Sequence, residues 1–146
     1  MRSEGTGKPR LPPEIESALT EIFGAGVGAV RLVPNSLYAR LHGRVDATTR
    51  RNTIYLRGDV ASFAADPQLL LHEYFHVLQQ WHSRRMTLWT YLLESARRGY
   101  LKNRFEIEAR DFAVRNLARL GTLIAKRRGF ETRSAALQTV RDAGAL

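Results

Sequence analysis

Residues 72–76 read His-Glu-Tyr-Phe-His inside an apolar run, with Leu69-Leu70-Leu71 before them and Val77-Leu78 after. A helix this apolar belongs at the centre of a fold, yet it carries three polar side chains inward. Each costs about 1–3 kcal/mol to bury unless it finds a partner. Positions i and i+4 share one face of a helix, so His72 and His76 direct two imidazoles at a single point. A metal ion there would supply the missing partner. Glu73 stands beside that point without needing to ligate. Two ligands and an adjacent general base are what metal-assisted hydrolysis requires.

The helix bearing the motif is expected from Pro67 to His82. Asp66 is a good N-cap and Pro67 suits the first helical position. Leu71, Tyr74, Phe75 and Leu78 form one stripe, widened by Leu70, Val77 and Trp81.

Two imidazoles hold zinc poorly, and a catalytic site takes a third protein ligand and leaves one position open. Candidates downstream are His82, Glu94, Glu106, Glu108 and Asp111. The pattern H-E-x-x-H-x-x-G-x-x-H would use His82, but Gln79 stands where it needs glycine. In the segment from Asn103, an advance of about 100° per residue gathers Phe105, Ala109, Phe112, Ala113, Leu117 and Leu120 on one face. Glu106 falls inside that face and Glu108 outside it. A carboxylate turned to the core needs a partner, so Glu106 is the preferred third ligand. Glu108 is expected to pair with Arg104 or Arg115.

Elsewhere, a helix is expected over Pro12–Phe23, stopped by Gly24-Ala25-Gly26. Strands are expected over Ala29–Val33, weakly over Gly43–Ala47, and over Asn52–Leu56. Ser36–Leu41 reads as a short helical turn. Helices follow over Met86–Arg98, with Leu88, Trp89, Leu92 and Leu93 at helical spacing, and from Asn103 to Arg119 or beyond. Gly129 is expected to interrupt, leaving a last helix over Thr132–Val140. The order implies an α+β fold, a small mixed sheet beside a mainly helical body. Residues 14–146 are expected as a single domain behind a disordered tail, 1–13.

The chain of 146 residues has no cysteine, which excludes disulfides and thiolate metal sites. It has no apolar run of the ~18 residues that a membrane span needs and no secretory signal, so a cytoplasmic location is expected. The net charge of +9 is uneven: residues 84–146 hold 14 Lys/Arg against 6 Asp/Glu, and residues 1–83 hold 9 against 8. The basic half suits an acidic partner. No nucleic-acid motif accompanies the charge, so nucleic acid is not an expected partner.

With these residues in view, the sequence resembles gluzincin-type zinc metallopeptidases, which carry H-E-x-x-H on one helix and a glutamate on a later one. It is similar to the compact minigluzincins. It also resembles short metallopeptidase-like domains linked to contractile injection systems, where a comparable H-E-x-x-H-V-x-Q-Q appears; here that stretch is His72 to Gln80. The E-x-E-A-x-x-F-A run from Glu106 to Ala113 resembles the glutamate helix of bacterial regulatory metallopeptidases, in which the first glutamate binds zinc. The resemblance covers about residues 50–115. Its departure is spacing: 29 residues lie between His76 and Glu106. It implies zinc held by His72, His76 and Glu106, with Glu73 as the base that activates water for cleavage of a peptide or protein substrate. Tyr100, with Tyr91 and His82 as alternatives, would stabilise the oxyanion. It also implies that the strand at Asn52–Leu56 offers an exposed edge to extended substrate, and that an N-terminal segment such as 1–13 can block such a site. The competing reading is a non-catalytic zinc-containing binding module or toxin-associated accessory module with a basic helical surface.

Overall fold

The computed structural model describes residues 7–41, 46–99 and 103–143. Helix α1 (Pro13–Phe23) leads through a 3₁₀ turn (Ala25–Ala29) into strand β1 (Arg31–Val33) and a short helix α2 (Leu37–Leu41). Strands β2 (Ala47–Arg50) and β3 (Thr53–Leu56) follow, then helices α3 (Val60–Ala64) and α4 (Pro67–Phe75). A π-helical segment (His76–Trp81) continues α4, and α5 (Leu88–Arg98) and α6 (Arg104–Ala143) complete the chain. This is the expected α+β architecture, a three-stranded mixed sheet beside a mainly helical body.

The sheet has the order β1-β3-β2, with β1 parallel and β2 antiparallel to β3. Ile54 and Leu56 alternate inward along β3 and are fully buried. Residues directly opposite in a ladder face the same side. The register Ala47↔Leu56 and Thr49↔Ile54 therefore puts Ala47 and Thr49 on the core face too. Helix α4 lies close to β2 and packs most extensively against α6. Phe23, Phe75 and Phe112 tie α1, α4 and α6 together, with ring centroids 5.2 and 4.8 Å apart. Such pairs contribute about 0.5–1.5 kcal/mol each beyond their buried area.

The expected start of the motif helix is confirmed in detail. The Asp66 carboxylate accepts from the Leu69 N–H at 2.9 Å, and Pro67 opens the helix. Its end differs in winding: His76–Trp81 forms i→i+5 bonds such as His82 N–H to the Val77 carbonyl, 3.0 Å. π segments of this kind often mark functional sites. The run ends at Trp81, and Arg84, three residues on, has φ 57°.

Several expectations are corrected. β2 begins where the weak strand was expected to end; of the latter, residues 43–45 lie outside the described residues. Helix α3 was not expected, yet the Asp59 carboxylate caps it by accepting from the Ser62 N–H at 2.7 Å. Gly129 does not interrupt: α6 runs unbroken for 40 residues, about 60 Å at 1.5 Å per residue. A glycine costs only about 1 kcal/mol in a helix interior, and here the helix is tied to α1 just before it. Arg127 binds Glu21 and Ser17, both at 2.7 Å, and Arg128 binds Glu14 at 3.3 Å. Beyond residue 128 the helix is exposed as far as residue 142.

Helix α5 is inverted. Its apolar residues Trp89 (81% exposed), Leu92 and Leu93 face outward, while Tyr91 bonds to Glu106 on α6 and Ser95 to Asn103 just before it. The Leu88 side chain lies outside the described residues. Residues 1–6 of the expected tail do so as well, whereas Leu11 is buried in the core.

Candidate metal centre

Helix α4 and its π continuation carry His72, Glu73 and His76, and the third residue of α6 is Glu106. Their packing brings the ligand candidates together. His76 Nε2 lies 3.0 Å from His72 Nε2. The Glu106 carboxylate closes the triangle, with Oε2 3.1 Å from His72 Nε2 and Oε1 3.5 Å from His76 Nε2. Zinc bonds of ~2.0–2.1 Å in a tetrahedron separate neighbouring ligand atoms by about 3.3 Å. The three edges match one face of that tetrahedron. Among the described residues, this is the group of histidine and carboxylate atoms close enough to hold a metal.

The donor set also fits a cation chemically. His76 and Glu106 are buried and His72 is nearly so. His76 Nδ1 lies 2.6 Å from Gln80 Oε1, an atom that only accepts, so Nδ1 carries a proton. In the neutral ring, Nε2 then turns its lone pair towards His72 and Glu106. Three converging electron-rich atoms in a water-poor pocket need a positive charge among them. In the metal-free protein protons supply part of it. Burial pushes the His76 imidazole down, but hydrogen bonds to Glu106 and Gln80 and the charges of Glu73 and Glu106 outweigh it and raise its pKa. Burial pushes Glu106 up, and hydrogen bonds and charge from the two histidines overcome it, holding the carboxylate well below its ordinary range.

Glu73 is buried, 4% exposed, and does not join the triangle. Its Oε2 accepts from the Thr49 hydroxyl at 2.5 Å, a contact that follows from the β2–β3 register. Sequence reasoning missed Thr49: β2 reads Ala-Thr-Thr-Arg and lacks the apolar alternation that marks a strand.

The remaining candidates separate clearly. Glu108 pairs with Arg85 at 3.0 Å, rather than with Arg104 or Arg115, and stays outside the cluster. His82 faces Asn52 Oδ1 at 3.0 Å on the surface. Glu94 pairs with Arg98 and Asp111 with Arg115. Tyr100 lies outside the described residues. Tyr91 donates its hydroxyl to Glu106 Oε1 at 3.1 Å. Helix α5 is held there by Asn103, fully buried, whose amide donates to Ser95 Oγ at 2.8 Å. The strand at Asn52–Leu56 has no exposed edge, because β1 and β2 pair along both its sides. Among the described residues, the outer edges of the sheet belong to β1 and β2.

The eCIS core domain family, of extracellular contractile injection systems, matches residues 10–84, 75 of the 146. The chain belongs to the eCIS core domain family. The match makes it a module associated with contractile injection systems. The segment shared with the eCIS core domain runs from just before α1 to the end of the π segment. It includes Thr49, His72, Glu73, His76 and Gln80, and stops before Tyr91 and Glu106. This eCIS core domain therefore draws its third candidate ligand from a helix beyond the matched segment. No curated protein and no solved structure matches the chain significantly. No helix among the described residues is long and apolar enough to cross a membrane.

Proposed function

We propose that this module of a contractile injection system is a zinc-dependent metallopeptidase. The observation that carries the reading is the triangle of His72, His76 and Glu106, with edges of 3.0, 3.1 and 3.5 Å, beside a buried glutamate that takes no part in it. Zinc is the favoured ion because two imidazoles and one carboxylate, with room for water, are a common catalytic zinc set.

Zinc bound there would lower the pKa of water towards ~7 and polarise a carbonyl group. The chain's own groups supply the rest. Glu73 accepts the proton of the attacking water and returns it to the leaving amine nitrogen. Thr49 holds one Glu73 oxygen, which leaves the other to face the water. The Tyr91 hydroxyl, now on Glu106, is a donor within reach of the site and suits the developing oxyanion. The outer edge of β2 presents backbone donors and acceptors to an extended peptide, and Thr49 links that strand to the base. A purely structural site would have a fourth protein ligand and no use for Glu73.

The test is hydrolysis of a mixed peptide library by the zinc-loaded protein. Cleavage that falls at least ~100-fold in Glu73→Gln, with zinc content unchanged, is the expected result. Zinc-loaded wild type without cleavage, or a Glu73→Gln protein as active as wild type, would refute the peptidase reading.

A further inference from the structure

Gln80 is fully buried at the centre of the molecule, one turn beyond His76. A buried primary amide has four hydrogen-bonding positions to satisfy and two orientations that differ only by exchange of its oxygen and nitrogen. Its neighbours decide between them. The side chain donates to the Phe105 carbonyl at 3.0 Å and, more weakly, to Glu108 Oε2 at 3.4 Å. Both partners only accept, so the NH₂ group must face them. The flipped orientation would set the amide oxygen against two acceptors. The oxygen is therefore turned to His76 Nδ1, at 2.6 Å.

This one amide makes two commitments. It fixes the proton of His76 on Nδ1, leaving Nε2 to ligate. It also fastens the π segment to the first turn of α6, at the residue immediately before Glu106. The three ligand candidates come from two helices that are 29 residues apart in sequence, and Gln80 bonds to both.

We propose that Gln80 is the positioning residue of the metal centre: it holds His76 in its ligating tautomer and sets the distance between His76 and Glu106. The inference rests on the metal site proposed above. It belongs to the general class of outer partners that orient ligand histidines, whose loss typically weakens metal binding 10–100-fold.

Zinc affinity, read by competition with a chromophoric chelator, tests it without reference to any substrate. Gln80→Met keeps length and removes all three hydrogen bonds; it should bind zinc about 10–100-fold more weakly. Gln80→Glu keeps an acceptor for Nδ1–H but sets an oxygen against the Phe105 carbonyl and Glu108, so it should still bind zinc more weakly than the wild type. Circular dichroism establishes that each variant is folded. ¹⁵N NMR of zinc-loaded wild type provides a reading independent of any variant: the His76 proton should reside on Nδ1. Wild-type affinity in a folded Gln80→Met or Gln80→Glu, or a proton on Nε2, would each overturn the role of Gln80. Failure of the wild type to bind zinc would instead overturn the metal site itself, and the inference with it.

Discussion

Glu106 and Glu108 are two residues apart on one helix, and only the first belongs to the cluster. That difference gives a paired experiment. Glu106→Gln removes a carboxylate whose oxygens lie 3.1 and 3.5 Å from the two Nε2 atoms. Glu108→Gln removes one that pairs with Arg85 at the surface. A ligand that binds only the folded state stabilises it by about 2.7 kcal/mol when present at 100 times its Kd. Unfolding entropy of ~2.1 cal/mol/K per residue gives about 0.3 kcal/mol/K for 146 residues. Zinc at that excess should therefore raise Tm by about 9 °C in the wild type. At the same zinc concentration, differential scanning calorimetry should show nearly the same rise in Glu108→Gln and at most a few degrees in Glu106→Gln. A Glu106→Gln protein that keeps the full rise would refute the assignment of the third ligand, as would a Glu108→Gln protein that loses it.

Two further outcomes follow from the same geometry. Thr49→Val keeps the shape of the side chain but strips Glu73 of its hydroxyl donor; urea unfolding of the metal-free protein should show a loss of about 1–3 kcal/mol, and an unchanged midpoint would mean that the bond contributes nothing. The pH dependence of metal-free stability should follow the two shifted groups. His76 is raised from 6.5 in the fold, so its contribution is complete below 6.5 and is lost as pH rises through the folded value. Glu106 is lowered from 4.5, so its contribution is present above 4.5 and is lost as pH falls. Metal-free stability from this pair should peak between about pH 4.5 and 6.5, whereas the zinc-induced rise in Tm should grow above that range as His76 loses its proton. Thermal melts across pH check both, and a zinc effect that is largest at pH 5 would contradict them.

The motif helix and the metal-ligand candidates were legible in the sequence because each carries a local physical conflict. Asp66-Pro67 marks a helix start whatever surrounds it. His72, Glu73 and His76 interrupt an apolar stripe, and Glu106 interrupts another, so each requires a partner. The β2 strand was not legible: Thr48, Thr49 and Arg50 gain strand structure from pairing with β3, not from an apolar alternation of their own. The inverted α5 defeats periodicity, since Trp89, Leu92 and Leu93 give the stripe of an inward face while the hydrogen bonds of Tyr91 to Glu106 and of Asn103 to Ser95 turn the helix the other way. Gly129 reads as a breaker, yet the anchoring of Arg127 and Arg128 on α1 holds the helix through it. The π winding after Phe75 has no signature in residue type. Gln80 was visible as part of the H-E-x-x-H-V-x-Q-Q stretch, but its partners on α6 are a tertiary fact.

The proposed chemistry stands on His72, His76 and Glu106 forming an open metal centre. Anomalous diffraction at the zinc edge from crystals of the zinc-loaded protein tests it most directly. The expected density is one ion per chain, about 2.0–2.2 Å from Nε2 of both histidines and from a Glu106 oxygen, with a non-protein oxygen completing the coordination. Zinc at any other residues, or a fourth protein ligand closing this site, would contradict it.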